Sequence, residues 1–164
     1  TLRTELRRAQ RYGFPVTFVM IDVDFLKRYN ERFGHMAGSE VLAQVAHLLM
    51  ANCRNTDVVG KYGGDEFALI LPQTGTEGAY AVAERMRAAI AAHTFENVAA
   101  GDITCSFGIA TFPEDGGDVH GLVAAADQQL FQAKRDGKNT LRATRPVTLP
   151  AADPSPAGTA PARS

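Results

Sequence analysis

Residues 16–24 read Val16-Thr17-Phe18-Val19-Met20-Ile21-Asp22-Val23-Asp24, an apolar run that stops at two acids. An unbroken run of β-branched and aromatic residues is typical of a strand that is buried on both faces. We therefore predict a central strand over residues 16–21. A carboxylate at the end of a buried strand is a common place for function. Asp22 or Asp24 is equally suited to cap a helix that starts near Phe25.

A second stretch predicts a β-hairpin. Two strand-like runs, 57–62 and 66–71, flank Gly63-Gly64-Asp65. Glycine accepts the positive φ that tight hairpin turns need, and Asp is itself frequent in turns. If the hairpin and the central strand share one sheet, Asp65 and Glu66 come to lie beside Asp22.

Hydrophobic periodicity predicts the remaining elements. After a leading helix, the expected order is β-α-α-β-β-α-β-α-β, which favours an α+β fold with a central five-stranded mixed sheet covered by helices. The predicted helices cover residues 1–12, 25–32, 39–52, 77–92 and about 122–133, and the predicted strands cover residues 16–21, 57–62, 66–71, 103–112 and 140–143.

The composition indicates one globular domain over residues 1–144. Of the 164 residues, 45% are hydrophobic and 21% are charged, as in ordinary soluble domains. Residues 145–164 are rich in Pro, Ala, Thr and Ser and are predicted to be a disordered tail. No capping signal precedes residues 1–12, so this segment is expected to be the end of a longer helix or linker.

Charge and cysteine content narrow the function classes. The net charge of −1 supplies no basic field for a nucleic-acid partner, and no apolar run approaches the length of a membrane span. Cys53 and Cys105 have no metal-ligand spacing, so free thiols in a reducing, cytoplasmic compartment are expected. A disulfide between the two is the open alternative.

The acids and glycines together suit nucleotide chemistry. Converging carboxylates without Cys or His favour a hard cation such as Mg²⁺, which prefers a few carboxylates plus substrate phosphates. Two adjacent glycines leave room for backbone to approach a triphosphate.

The string Tyr62-Gly63-Gly64-Asp65-Glu66-Phe67 resembles the signature of the GGDEF family, the diguanylate cyclases. The resemblance extends over about residues 1–143 and implies a nucleotidyl-cyclase or palm-like fold. It also implies an enzyme that joins two purine nucleoside triphosphates into a cyclic dinucleotide and releases pyrophosphate. Four further motifs agree in order and spacing: residues 22–27 followed by Asn30, Gly34-His35 and Gly38; Ser106-Phe107-Gly108-Ile109; Ala133-Lys134; and Gly137-Lys138-Asn139.

The resemblance implies a role for each matching residue. Asp22, Asp65 and the Val23 carbonyl would bind metal, with two Mg²⁺ per site and Mn²⁺ as an alternative. Glu66 would help to bind metal or accept the 3′-hydroxyl proton. The lysines would face phosphates, although a single lysine is more often a solvated surface charge. The residues expected at the substrate are Phe25, Leu26, Lys27, Asn30, Ser39, Gly63, Gly64, Lys134 and Lys138.

Base recognition departs from the family pattern at one position. Asn30 matches, but Ser39 stands where the family has an aspartate. A carboxylate accepts hydrogen bonds from guanine and repels the N1 lone pair of adenine. A hydroxyl can either donate or accept a hydrogen bond. Ser39 therefore resembles the mark of the hybrid promiscuous subfamily, which uses ATP beside GTP and makes cyclic AMP-GMP as well as cyclic di-GMP. The alternatives are a serine that caps a helix in a GTP-specific cyclase, or an inactive cyclic-dinucleotide-binding module.

The resemblance also implies regulation and assembly. Arg54 and Asp57 resemble an inhibitory product site, with Arg85 as a secondary contact, because arginine reads guanine O6 and N7. A surface ion pair between Arg54 and Asp57 is the alternative. Since two substrates must face each other, catalysis implies a homodimer, and the family pattern implies an upstream sensory domain.

Overall fold

The structure, a computed structural model, describes residues 1–147 of the chain. The predicted order of elements is confirmed within this range. The predicted tail lies outside the described residues from residue 148 onward, while Arg145 Nε lies 3.4 Å from Asp115 Oδ1. The helices are α1 Leu2–Tyr12, α2 Leu26–Phe33, α3 His35–Ala51, α4 Thr76–Ala92 and α5 Val119–Arg135, and the strands are β1 Val16–Asp24, β2 Val58–Lys61, β3 Glu66–Pro72, β4 Thr104–Phe112 and β5 Leu141–Ala143.

Strand β1 is the middle strand of a five-stranded sheet with the order β2-β3-β1-β4-β5. It runs antiparallel to β3 and β4, and β5 joins β4 in parallel, so the sheet is mixed as predicted. All nine residues of β1 are buried, which explains why its sequence is mostly apolar up to Ile21. The pairing places Asp22 opposite Glu66 on one side and Ser106 on the other.

Helices cover both faces of this sheet. Val19 and Ile21 of β1 pack in the cluster that α2, α3 and α4 cover. Phe18 and Met20, which alternate with them along the strand, pack with residues of α1 and α5, including Leu130. Each face of β1 therefore has its own apolar layer, and the polar end of the strand emerges between them.

Two predictions at the end of β1 were wrong. The strand continues through Asp24 instead of stopping at Ile21, because pairing with β4 extends to Asp24 opposite Thr104. Neither acid caps the next helix. The N-cap of α2 is Phe25, whose backbone is left-handed with φ 64°, and no side chain caps it.

The start of α3 also differs from the prediction. The helix begins at His35 instead of Ser39. The N-cap is Gly34, so Ser39 is an interior helix residue and its interpretation as a helix cap is wrong. The remaining ends differ slightly from the predicted ones, as element ends do.

Both cysteines are free thiols, so the disulfide alternative is wrong. Burial raises the pKa of Cys53 to about 11 and the pKa of Cys105 well above its ordinary value. Within residues 1–147, no helix has the length and apolar character needed to cross a membrane.

Candidate nucleotide site

The predicted acids converge at the end of β1. Asp22 is 8% exposed and pairs in register with Glu66. The Val23 N–H donates to the Asp65 carbonyl at 3.0 Å, which holds the hairpin turn against the strand end. Asp22 and Asp65 line one cavity. The long-range part of the sequence prediction, that these acids meet, is confirmed.

Asp22 has an unusual electrostatic environment. The pKa of its carboxyl is raised to about 6, mainly by burial. The hydrogen bond and the charge of Lys134 lower this pKa, and the charges of Asp65 and Asp24 contribute to the rise. Lys134 Nζ of α5 lies 2.8 Å from Asp22 Oδ2. A buried acid cluster with one lysine nearby is an environment in which added positive charge is stabilising.

Asp24 has a role that the sequence analysis did not identify. Its buried carboxylate accepts hydrogen bonds from Thr104 Oγ1 at 2.7 Å, Ser106 Oγ at 2.8 Å and the Asn139 N–H at 3.0 Å. It therefore joins β1 to β4 and to the turn after α5. The period-two alternation of a strand places Asp24 on the same face as Asp22, and this was the signal in the sequence that could have indicated it.

An open cavity of about 420 Å³ lies between the acids and the start of α2; we call it the phosphate cavity. The N-terminal end of α2 directs unpaired N–H groups and its positive dipole end toward this region, which favours anions. Lys138 Nζ lies 4.2 Å from the centre of the Phe25 ring, a cation–π contact at the cavity wall. The cavity brings together Asp22, Val23, Phe25, Leu26, Lys27, Asp65, Lys134 and Lys138 as predicted, and adds Asp24, Arg28 and Glu31.

A second cavity of about 640 Å³ adjoins the first and shares Leu26, Lys27, Glu31 and Asp65 with it; we call it the base cavity. Asn30 and Ser39, the predicted base-recognition pair, both line it.

The Oδ1 atom of Asn30 is buried and has no hydrogen-bond partner among residues 1–147. A Cβ atom on Gly38 would overlap this oxygen, so the glycine is what allows Asn30 to occupy its position. An unpaired buried acceptor in a cavity wall is a group that a ligand donor would satisfy.

Ser39 is exposed, and its Oγ donates to the His35 carbonyl at 3.0 Å. Because the hydroxyl hydrogen is donated to the backbone, the hydroxyl oxygen can accept a hydrogen bond from another donor.

The glycines of the hairpin act differently from the prediction. Neither Gly63 nor Gly64 has a positive φ, so the expectation of a left-handed turn was wrong. A Cβ on Gly63 would lie 2.8 Å from Glu66 Oε2, so this glycine makes room for that carboxylate. Gly64 lines the base cavity, whereas Gly63 and Glu66 belong to neither cavity wall.

The residues of the predicted product site, Arg54, Asp57 and Arg85, make the following contacts. Asp57 Oδ2 accepts from the backbone N–H of Arg54 at 2.7 Å, and no ion pair joins their side chains in the structure of residues 1–147, so the ion-pair alternative is wrong. Arg85 Nη2 of α4 donates to the Asn52 carbonyl at 2.8 Å. Burial is the main cause of the raised pKa of Cys53; the charge of Asp57 also raises it, and the charge of Arg85 lowers it.

The donor set determines which metal the site can hold. Across residues 1–147, no group of three or more His, Cys, Asp and Glu side chains could hold a metal ion. The ligands that the family resemblance implies, Asp22, Asp65 and the Val23 carbonyl, are all oxygen donors. This sparse set fits Mg²⁺, which takes one or two carboxylates and completes its shell with substrate phosphates and water.

The domain is an α+β fold whose central strand ends in acids beside a hairpin turn. Residues 1–140 match the family model described as diguanylate cyclase, GGDEF domain. The chain belongs to this GGDEF family.

Individual relatives agree with this assignment. The response regulator PleD of Caulobacter vibrioides is 37% identical over 140 residues, which cover 83% of this chain and 31% of PleD. The active GGEEF domain of a diguanylate cyclase from Vibrio cholerae superimposes with a TM-score of 0.82 at 32% identity, covering 88% of this chain and 92% of that one. The GGDEF domain of DgcB from Caulobacter crescentus, solved in complex with c-di-GMP, gives a TM-score of 0.81 at 27% identity, with coverages of 87% and 85%.

The chain spans about a third or less of the length of the curated relatives it matches.

Proposed function

We propose that this domain is a Mg²⁺-dependent nucleotidyltransferase that condenses two GTP molecules into cyclic di-GMP and releases pyrophosphate. The observation that carries the proposal is the shared wall of the phosphate cavity and the base cavity at Leu26, Lys27 and Asp65. One purine nucleotide can lie across this wall, with its phosphates near the acids and its base near Asn30. The similarity to named diguanylate cyclases supports the same activity.

In this proposal the phosphates are held by backbone and lysines. The N–H groups of Phe25 and Leu26 lie at the start of α2, where the helix dipole favours anions. Lys27, Lys134 and Lys138 line the same cavity and supply positive charge. Lys134 pairs with Asp22 and also lines the cavity that would hold the phosphates.

Asp22, Asp65 and the Val23 carbonyl would hold Mg²⁺, with two ions per site. When bound, Mg²⁺ would neutralise charge that develops on the attacking and leaving oxygens. The raised pKa of Asp22 fits this role, because burial disfavours its charged form and a bound cation would stabilise that form.

The reaction joins two nucleotides through their 3′ oxygens. The 3′-hydroxyl oxygen of one GTP forms a bond to the α-phosphorus of the other, the bond from that phosphorus to the β-phosphate breaks, and pyrophosphate leaves. Glu66, opposite Asp22 in the sheet, would either help to bind metal or accept the hydroxyl proton. A second, identical step closes the ring. Because each domain offers one nucleotide site, two domains must face each other, and a symmetric homodimer is the simplest arrangement.

We further propose that the base cavity admits adenine as well as guanine, so that the domain makes cyclic AMP-GMP (3′,3′-cGAMP) beside cyclic di-GMP. Ser39 carries no charge that would repel N1 of adenine. Its hydroxyl hydrogen is given to His35, so the oxygen can accept from the amino group of either base. The Asn30 amide both donates and accepts and can serve both bases.

Product inhibition is proposed at Arg54, Asp57 and Arg85. In support, the carboxylate of Asp57 is held by backbone and the guanidinium of Arg54 forms no ion pair with it in the described part of the chain. This arrangement leaves the guanidinium able to read guanine O6 and N7. The structure of the relative DgcB in complex with c-di-GMP supports the proposal that a domain of this family binds this product.

The decisive experiment is product analysis. The protein would be incubated with Mg²⁺ and GTP, with ATP, and with an equal mixture, and the nucleotides would be separated by chromatography and identified by mass. We expect cyclic di-GMP from GTP and additional cyclic AMP-GMP from the mixture. The Asp65→Ala variant is the control for contaminating cyclases. A wild-type domain that forms no cyclic dinucleotide at any protein concentration would contradict the proposal.

A further inference from the structure

The turn after α5 has an unusual backbone. Gly137, Lys138 and Asn139 have φ values of 112°, 67° and 46°, three positive values in succession. Residues with a Cβ rarely adopt this conformation, and they keep it only where surrounding contacts hold it. We call residues 137–139 the Lys138 turn.

Two contacts hold the Lys138 turn at Asn139. Its N–H donates to Asp24 Oδ2 at 3.0 Å, and its Oδ1 accepts from Arg87 Nη1 of α4 at 2.8 Å. Asp24 is buried, so the first contact fixes the turn to the end of β1. The second contact fixes it to a different helix.

Arg87 is itself held in one orientation. Its Nε and Nη2 atoms donate to Glu84 Oε2 and Oε1 at 2.8 and 2.7 Å, a bidentate pair within α4. This fork leaves Nη1 directed at Asn139. A guanidinium can make both sets of contacts at once because its donors lie in one rigid plane.

The turn carries a residue of the phosphate cavity. Lys138 immediately precedes Asn139, lines that cavity and places its Nζ 4.2 Å from the centre of the Phe25 ring. Arg87 lines neither nucleotide cavity. The hydrogen bond to Asn139 connects Arg87 to the turn that carries Lys138, and so to the phosphate cavity.

We infer that Arg87 is a positioning residue: through Asn139 it holds the Lys138 turn and so keeps the Lys138 ammonium at the phosphate cavity. This inference rests on the proposed function, because that function puts a triphosphate beside Lys138. A purely structural role predicts something different. Loss of the Glu84–Arg87 pair would then lower the stability of the domain without a specific effect on phosphate binding.

A double-mutant cycle separates these roles. We would measure binding of guanosine 5′-[α,β-methylene]triphosphate, which cannot cyclise, and of guanosine, to wild type, Arg87→Ala, Lys138→Ala and the double variant. Arg87→Ala should weaken binding of the triphosphate about fivefold, as expected for a partly exposed charge contact, and leave guanosine unchanged. In the Lys138→Ala background the same substitution should have no further effect. Equal losses in both backgrounds, or an equal loss for guanosine, would overturn the inference.

A ligand-free measurement tests the turn itself. Amide hydrogen exchange at Lys138 and Asn139 should be faster in Arg87→Ala than in wild type. Arg135→Ala is the matched control, because Arg135 is an exposed α5 arginine that stacks on Phe131. Unchanged exchange in Arg87→Ala would overturn the inference whether or not nucleotide binds. A wild type that binds no analogue would contradict the proposed function instead, and the exchange rates would still decide whether Arg87 holds the turn.

Discussion

Lys134 Nζ lies 2.8 Å from Asp22 Oδ2, yet the pKa of Asp22 is raised to about 6 because burial outweighs the lysine. The folded-state pKa therefore exceeds the ordinary value of 3.8. A carboxyl with a raised folded-state pKa favours folding while it is protonated, and this contribution is lost as the pH rises through about 6. At neutral pH the ionised Asp22 should destabilise the metal-free domain.

We expect Asp22→Asn to raise the free energy of unfolding of the metal-free domain by about 1–3 kcal/mol at neutral pH, because the buried charge is removed. The gain should be smaller near pH 4.5. Urea denaturation in the presence of a chelator at both pH values measures this effect. Asp127→Asn, at an exposed site on α5, is the control. A gain of the same size at both pH values would show that titration of Asp22 is not its cause.

The acids of the hairpin should be needed for activity and not for folding. Asp65→Ala and Glu66→Ala are each expected to lower product formation by about a hundredfold or more, since metal binding or proton transfer is lost. Circular dichroism should show an unchanged fold. Turnover of Asp65→Ala at the wild-type rate with Mg²⁺ would rule out Asp65 as a metal ligand.

Gly38→Ala should weaken nucleotide binding, because the new Cβ displaces Asn30 Oδ1 from the base cavity. We expect a loss of about tenfold in GTP affinity, the value of roughly one hydrogen bond to the base. Gly78→Ala is the matched control, since Gly78 also lies in a helix but lines neither cavity. If both variants bind GTP like wild type, Asn30 does not recognise the base.

Ser39→Asp should shift the products toward cyclic di-GMP. A carboxylate accepts from the two donors of guanine and faces the N1 lone pair of adenine unfavourably. The expected gain in guanine preference is about ten- to a hundredfold. The measurement is product composition at equal GTP and ATP for wild type and variant. If the wild-type domain makes only cyclic di-GMP from this mixture, the proposal of base promiscuity is wrong.

Arg54→Ala should relieve inhibition by added cyclic di-GMP without lowering the initial rate, because Arg54 lines neither nucleotide cavity. Inhibition by cyclic AMP-GMP should be weaker than by cyclic di-GMP in wild type, since adenine lacks the O6 acceptor that arginine reads. Inhibition curves for the two products measure both effects. Arg142→Ala, which removes an exposed arginine paired with Asp136, is the control. Unchanged inhibition in Arg54→Ala would place the inhibitory site elsewhere.

Much of the fold was predictable from local sequence. The apolar run at residues 16–21 indicated a strand buried on both faces, because a strand with one face in solvent would alternate apolar and polar residues. The motifs in residues 22–27 and 62–67 also indicated the acids of the site and the cation they suit. These features depend on residue types and on short distances along the chain, and both can be read directly from the sequence.

The contacts that set the properties of the site were decided only by the tertiary structure. Asp24 bonds to Thr104 and Asn139, which are 80 and 115 residues away along the chain, and periodicity carries no information about such partners. The raised pKa of Asp22 depends on how completely several elements bury it together. The sequence by itself thus determined the elements and the chemical groups of this domain, whereas long-range packing decided which buried groups meet, because burial and hydrogen bonding depend on the whole fold.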